Sequence, residues 1–374
     1  QHSLPFQQQK RGTVVDSELK EGVEAPAHWS SGPEVSAASA AAVLEASLAP
    51  SLPAPISAPA PGRARKQARI IAVGGGKGGV GKSLVTSSLG ISLARHGRKI
   101  VVVDADLGGA NLHTCLGLTT PERTLSDFIN RRVPRIEDVI AETGVPNLGL
   151  ISGAHDHLTA SNMKYFQKTR LLSRISQVDA DIIVIDIGAG ISFNIVDFFL
   201  LAEQGILVVI PEPSSIENAY RFLKMSFYRH LWRSLKASPA RKVVEEAMDQ
   251  KNHVGIRSPF DLMEAVERID AGAGRFLKEQ ALEFRPRLLV NQVRYPEDER
   301  LGHSMSAVCR KHLGIDMESI GAVGFDESVW RANRKKRPFM LDYPDSAAGR
   351  SLEQVARTIL YAPVSPAARE ARAS

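Results

Sequence analysis

The decapeptide Gly74-Gly75-Gly76-Lys77-Gly78-Gly79-Val80-Gly81-Lys82-Ser83 follows the apolar run Ile70-Ile71-Ala72-Val73 and opens a helix-like stretch at Leu84. Strand, glycine loop and helix in that order commit the chain to a βαβ beginning, because glycines let successive backbone N–H groups turn inward onto phosphate oxygens. In this frame Lys82 reaches the β and γ phosphates and the Ser83 hydroxyl ligates Mg²⁺. The expected ligand is a nucleoside triphosphate, with Gly76, Lys77, Gly78, Gly79, Val80, Gly81, Lys82, Ser83 and Leu84 as its binding set. Lys77 stands five residues before Lys82 and is not needed for the loop's own phosphates.

From Arg69 onward, short apolar runs alternate with helix-length stretches, which predicts a mostly parallel sheet with helices on both faces and ligands at the carboxyl ends of the strands. The candidate strands are Ile70–Val73, Ile100–Asp104, Leu148–Ile151, Ile182–Asp186, Gly205–Ile210, Arg287–Asn291 and Ser319–Val323. The longest apolar runs are strand-sized and too short to span a bilayer, and the start has no signal-peptide core. A soluble, cytoplasmic protein is expected. The two cysteines, Cys115 and Cys309, without C-x-x-C spacing, suit a reducing compartment and argue against a structural zinc site or a disulfide framework.

Before residue 69 the composition is different. Eight of the 21 prolines fall in the first 61 residues among Ala and Ser, which predicts a disordered tail over 1–68. The folded part then spans 69–362, and an Ala-, Arg- and Pro-containing tail covers 363–374. Six basic and six acidic residues cancel between Gln1 and Ala68, so the net charge of +6 belongs to the folded part. A mildly basic surface admits DNA or acidic lipid without requiring either.

Two strand ends carry the acidic chemistry. The segment Asp104-Ala105-Asp106-Leu107-Gly108-Gly109-Ala110-Asn111-Leu112 leaves the second strand beside the phosphate loop. Phosphoryl transfer needs positioning and charge neutralisation more than covalent help, so Asp106 is assigned to the attacking water. Asp104 is kept as a structural carboxylate or one near Mg²⁺. Asp186 ends the buried run Ile182–Ile185, where a lone carboxylate is costly unless it faces a cation. The metal set is therefore Ser83, Asp104, Asp106 and Asp186, with Mg²⁺ as the cation, and Asp106 is the catalytic carboxylate. Gly188-Ala189-Gly190 supplies a backbone able to order around a γ-phosphate.

Taken in order, Gly75–Ser83, Asp104–Leu112 and Asp186–Ser192 resemble the ParA/MinD ATPases, whose deviant phosphate loop carries a lysine at the position of Lys77. The segments Pro211-Glu212-Pro213-Ser214-Ser215-Ile216-Glu217-Asn218-Ala219-Tyr220 and Arg334-Lys335-Lys336-Arg337-Pro338-Phe339, with Tyr343-Pro344, narrow the resemblance to the FlhG/FleN branch of flagellar number regulators. The resemblance implies ATP and Mg²⁺ as cofactors and an ATP-dependent homodimer in which Lys77 of each subunit reaches the other's phosphates, which makes Lys77 catalytic beside Asp106. It also implies slow hydrolysis stimulated by a regulatory protein partner, and adenine near Asn291 and Gly324-Phe325-Asp326. Phe325 stands either to stack on the base or to be buried as a core aromatic.

Departures from the family bear on partner choice. Ile187 occupies a position where Ser or Thr is common, and about sixty extra residues intervene between Met225 and Phe284 as a helical insertion. The stretch Tyr220–Lys242 mixes seven basic residues with Tyr220, Phe222, Phe227, Tyr228 and Trp232, a pattern suited to phosphate backbones or to an amphipathic helix that packs its aromatics on the core. Ser258-Pro259 signals a further helix with Leu262, Val266 and Ile269 inward. The C-terminus shows no amphipathic lipid anchor, so membrane recruitment by that route is not expected. His155 and His157 read as ordinary surface histidines.

The leading expectation is a P-loop ATPase switch that sets the number or placement of a structure such as flagella. The alternative is a positioning ATPase acting at a division site or on the nucleoid, with Arg331, Arg334, Lys335, Lys336 and Arg337 touching non-specific DNA. A metal-cluster carrier would need clustered thiolates. A metabolic ligase or kinase would need a substrate pocket in place of a second subunit.

Overall fold

The computed structural model describes residues 68–106, 109–153, 163, 165–235, 238–248, 256 and 258–362. The predicted tails before Ala68 and from residue 363 onward, together with His155 and His157, lie outside the described residues.

The strands are β1 (Arg69–Gly74), β2 (Ile100–Asp104), β3 (Ile140–Glu142), β4 (Leu148–Ile151), β5 (Ile182–Asp186), β6 (Gln204–Val209), β7 (Arg287–Val293) and β8 (Glu318–Gly324). They form one sheet in the order β3-β4-β2-β5-β1-β6-β7-β8. Every neighbouring pair is parallel except β3 with β4. The apolar runs predicted as strands are all present, within two residues at each end. β3 is the addition, a three-residue antiparallel edge strand that leaves its side chains half-exposed to exposed.

Alternation along the strands sends side chains to two cores. Ile71, Val73, Val102, Val184 and Val208 face α1 (Lys82–Arg95) and the C-terminal helices, whereas Ile70, Ala72, Val103, Ile185 and Val209 face the other layer. Between β2 and β6 run α2 (Leu112–Cys115), α3 (Leu125–Ile129), α4 (Tyr165–Ile175) and α5 (Phe193–Phe199). After β6 come α6 (Pro213–Ser234), α7 (Arg241–Met248), α8 (Pro259–Ile269) and α9 (Ala271–Glu283). The chain closes with α10 (Leu301–Leu313), α11 (Glu327–Arg334), α12 (Phe339–Asp342) and α13 (Ala347–Tyr361). The last two pack with α1 on one face; α3 to α10 supply the other.

The segment expected as an insertion is helical. Its predicted start at Met225 falls inside α6, which runs unbroken for 22 residues. α6 buries Phe222, Phe227, Tyr228 and Leu231, so the aromatics of Tyr220–Lys242 are mostly core. α8 begins at Ser258, whose hydroxyl accepts from the Asp261 N–H at 3.1 Å while the Asp261 carboxylate accepts from the Ser258 N–H at 2.9 Å. Leu262 and Val266 point inward as expected, but Ile269 is exposed, because α8 ends there and Asp270 caps α9.

No helix among the described residues is long and apolar enough to cross a membrane.

Candidate functional site

β1 delivers the phosphate loop between β5 and β6, at the carboxyl ends of the central strands. Two glycines there are dictated by geometry. Gly81 has φ +92, and a Cβ on it would stand 2.3 Å from the Asn291 amide nitrogen. At Gly76 a Cβ would meet the Asn218 carbonyl oxygen at 2.1 Å, so the loop lies directly on the backbone of α6. Asn291 is buried and donates to the Val80 carbonyl at 2.8 Å; Gln292 donates to that of Gly79 at 3.3 Å. β7 thereby braces the loop from the other side.

The two lysines of the loop have different surroundings. Lys82 is buried, and its ammonium donates to the Lys77 carbonyl at 3.4 Å inside the turn. Burial lowers its basicity, against the pull of Asp186 and Asp106. Lys77 points out of the turn with 37% of its side chain exposed, and its ammonium pairs with Glu212 at 2.8 Å and donates to Ser214 at 2.9 Å. Both partners sit at the start of α6, where the Ser215 hydroxyl accepts from the Ile210 N–H at 3.1 Å and fixes the turn.

The carboxylates face the loop. Asp186 is buried at the end of β5, with the Thr86 hydroxyl 3.5 Å away and the Ser83 hydroxyl also bonded to it. Burial pushes its carboxyl up to about 7, Asp104 adds to the rise, and Ser83 and Lys82 pull it back. Burial likewise raises Asp104 to about 6, against the N–H groups of Leu112 and Asp106 that it accepts at 3.0 and 3.1 Å. Asp104 therefore shapes the loop that follows β2. Asp106 is less buried, and its carboxylate lies over Gly188, where a Cβ would come within 3.2 Å of it. Ile187, in the place of a hydroxyl residue, packs instead beneath Gly74.

Asp186, buried and bonded by the Ser83 hydroxyl, with the Asp106 carboxylate over Gly188 nearby, forms a donor set that a divalent cation would satisfy, so these residues fit Mg²⁺; both Asp104 oxygens are already taken by N–H groups. Among the described residues, no group of three or more His, Cys, Asp and Glu is gathered to hold a metal unaided. Mg²⁺ ordinarily takes one or two carboxylates, and phosphate oxygens and water complete its shell.

Phe325 and Asn291 lie on neighbouring strands' ends, but Phe325 is 45% exposed and not a core aromatic. The Arg294 guanidinium lies 3.6 Å above its ring. Asp326 caps α11 through the Ser328 N–H and reaches the Ala348 N–H, contacts that outweigh its partial burial and hold its carboxyl at about 2.

Sequence reasoning missed several residues that surround the site. Glu212, Ser214 and Asn218 were visible only as a family segment without roles. Asp197 on α5 was not singled out, yet it is buried and accepts from Lys168 of α4 at 2.5 Å and twice from Arg229 of α6, at 2.9 and 3.1 Å. Arg229 is thus engaged with Asp197 and not offered to an outside phosphate. Trp232 is held between Arg229 and Arg241, at 4.3 and 3.6 Å.

Comparison with known proteins agrees with this architecture. Residues 66–230 match the ParA family described as NUBPL iron-transfer P-loop NTPase. The chain is 31% identical over 294 residues to the antiactivator FleN of Pseudomonas aeruginosa, covering 78% of this chain and 86% of that protein. It is 32% identical over 163 residues to the flagellum site-determining protein YlxH of Helicobacter pylori, covering 42% of this chain and 53% of YlxH. Among solved structures, the Pyrococcus horikoshii septum site-determining protein MinD, complexed with Mg-ADP, superposes with a TM-score of 0.54 at 22% identity, over 78% of this chain and 96% of that one.

Proposed function

The chain belongs to the ParA/MinD family of P-loop ATPases, in the FlhG/FleN branch, and from that premise we propose that it is an ATP-driven dimerisation switch regulating the number or placement of flagella. The observation that carries this reading is the position of Lys77. Lys82 already fills the inside of the loop, while Lys77 projects outward with an exposed side chain and a reversible partner, Glu212. Exposed ion pairs of this kind are worth about 0–1 kcal/mol, so phosphates presented by a second subunit can draw Lys77 away.

In this mechanism the loop N–H groups and Lys82 hold the β and γ phosphates. The Ser83 hydroxyl and Asp186 are the residues that would hold Mg²⁺, which would supply charge neutralisation to the phosphates. Asp106 orients the attacking water, and Gly188 leaves room for that carboxylate against the turn after β5. Release of the γ-phosphate relaxes Asp186–Ser192 and lets Lys77 return to Glu212 and Ser214. The name of the flagellum site-determining protein YlxH supports a flagellar role, and that of the antiactivator FleN supports a regulatory protein partner. Slow turnover awaiting that partner suits such a switch, and so does a cytoplasmic location.

Asp106→Ala is expected to retain ATP, to lower turnover about a hundredfold or more, and to accumulate dimer. A monomeric Asp106→Ala protein with ATP bound would contradict the sandwich. At the other end of the nucleotide, base stacking on Phe325 is worth about 1–3 kcal/mol, so Phe325→Ala is expected to weaken ADP binding roughly tenfold in calorimetry. An unchanged affinity would remove Phe325 from the base site.

The alternative, a positioning ATPase that tracks the nucleoid or acts at a division site, draws on α11 and the turn after it. There Trp330 is 61% exposed, Arg334 lies 5.2 Å over its ring, and Lys335 and Lys336 are exposed. Steady-state ATP turnover with and without non-specific duplex DNA, at low and moderate salt, separates the two. Stimulation that falls steeply with salt favours the DNA reading; no response favours a protein-controlled switch. A metal-cluster carrier finds little support in the cysteines. Cys309 is buried in α10, and burial, with Asp186 and Asp104 beside it, pushes the Cys115 thiol up to about 12.

A further inference from the structure

Away from the nucleotide loop, a cleft of about 410 Å³ opens where the end of α1 meets α12 and α13. Its walls bring together Arg95, Arg350 and Arg357, with His96, Glu353 and Asp345 among them. The charges do not balance within the cleft: three arginines face two carboxylates, and one of these is already shared. Glu353 is bonded at once by His96, at 2.8 Å, and by Arg357, at 3.0 Å. Arg95 donates to the Met340 carbonyl at 3.3 Å and Arg350 to that of Asp345, so their hydrogen-bond partners among the described residues are main-chain oxygens. Among the described residues, two guanidinium groups thus have no carboxylate partner and keep spare N–H donors on one concave surface.

We propose that this cleft is a second ligand site, taking a small phosphorylated anion. A guanidinium presents paired N–H donors in a plane that matches two phosphate oxygens, which a single ammonium cannot do. The volume lies in the range of small-molecule sites. A concave pocket of this size suits a compact anion better than the rod of a nucleic-acid duplex. The site is distinct from the phosphate loop, since Lys82 and Arg95 are the two ends of a 14-residue helix, about 20 Å apart at 1.5 Å per residue. It does not rest on the dimer reading and stands if that reading fails.

The test is calorimetric titration of inorganic pyrophosphate into the full chain saturated with Mg-ADP, so that the phosphate loop is filled. One site is expected, weakened at least tenfold in Arg95→Ala and in Arg350→Ala, with ADP affinity unchanged in both. Arg350 is exposed, so its variant keeps the test decisive if Arg95→Ala does not fold. Arg350→Lys, which keeps the charge and loses the fork, is expected to fall between wild type and Arg350→Ala. Absence of binding overturns the proposal. Equal binding in wild type and both variants also overturns it, because the probe would then be meeting the phosphate loop or general surface charge. Binding of a poly-glutamate peptide without pyrophosphate would overturn it as well and assign the cleft to a protein partner.

Discussion

Lys82→Ala is expected to abolish tight nucleotide binding while leaving the fold in place. Among the described residues the buried ammonium makes one hydrogen bond, to the Lys77 carbonyl at 3.4 Å, and feels the charges of Asp186 and Asp106, so it stays inside the turn, poised for phosphate. Removing one partner of a buried charge pair costs about 2–5 kcal/mol, which is between two and three orders of magnitude in affinity near the middle of that range. Calorimetric titration with Mg-ADP measures it directly. The variant's melting temperature without nucleotide should stay close to that of the wild type, because burial opposes the charge on Lys82 and its loss relieves that cost. A variant that binds Mg-ADP as tightly as the wild type would show that the loop does not hold phosphate in this way.

Asp197→Ala is expected to produce the largest loss of stability. The carboxylate joins α4, α5 and α6 by accepting from Lys168 and bidentately from Arg229, and all three side chains are nearly buried. Breaking a buried pair from one side costs about 3–5 kcal/mol because it leaves uncompensated charge, and here two cations are stranded. Urea unfolding of wild type and variant at neutral pH reads the difference. Its pH dependence follows from the protonation of Asp197. Burial alone would push this carboxyl up, but the bonds from Arg229 and Lys168 outweigh it and hold it below its ordinary value of 3.8. The stabilisation is therefore complete above that ordinary value and is lost as pH falls through the lower native one. The gap between wild type and Asp197→Asn should narrow below about pH 4. A gap that is constant with pH would mean that Asp197 acts by packing alone.

Why were the strands legible, and these contacts not? Strands buried on both faces, as in Ile182–Ile185 and Ile206–Val209, must be apolar along their whole length and so announce themselves as runs. β3 has three residues and a solvent-facing edge, so no such run exists to be read. The gathering of the glycine loop, Asp106 and Asp186 at one end of the sheet was legible because each lies at or just after a strand end. The bracing of that loop was not. Lys77 meets Glu212 across 135 residues and Asn291 meets Val80 across 211, and only the sheet order brings such pairs together.

The segment Tyr220–Lys242 shows the ambiguity of pattern from the other side. Basic residues among aromatics fit an amphipathic helix somewhat better than a phosphate backbone in sequence, without excluding the latter. Burial of Phe222, Phe227 and Tyr228, and the use of Arg229 on Asp197, resolve most of it in favour of packing. Arg221 differs: its pair with Glu217 on the preceding turn, at 2.6 Å, is exposed and does not draw it into the core.

The central claim is that ATP joins two copies of this chain through Lys77. The measurement that tests it most directly is the mass of the full chain in solution with Mg-ADP and with a hydrolysis-resistant ATP analogue, for wild type and Lys77→Ala. The wild type should double in mass only with the triphosphate analogue, and Lys77→Ala should remain a monomer in both while still binding nucleotide. A wild-type mass that ignores the γ-phosphate, or a Lys77→Ala protein that dimerises as well as the wild type, would contradict the account.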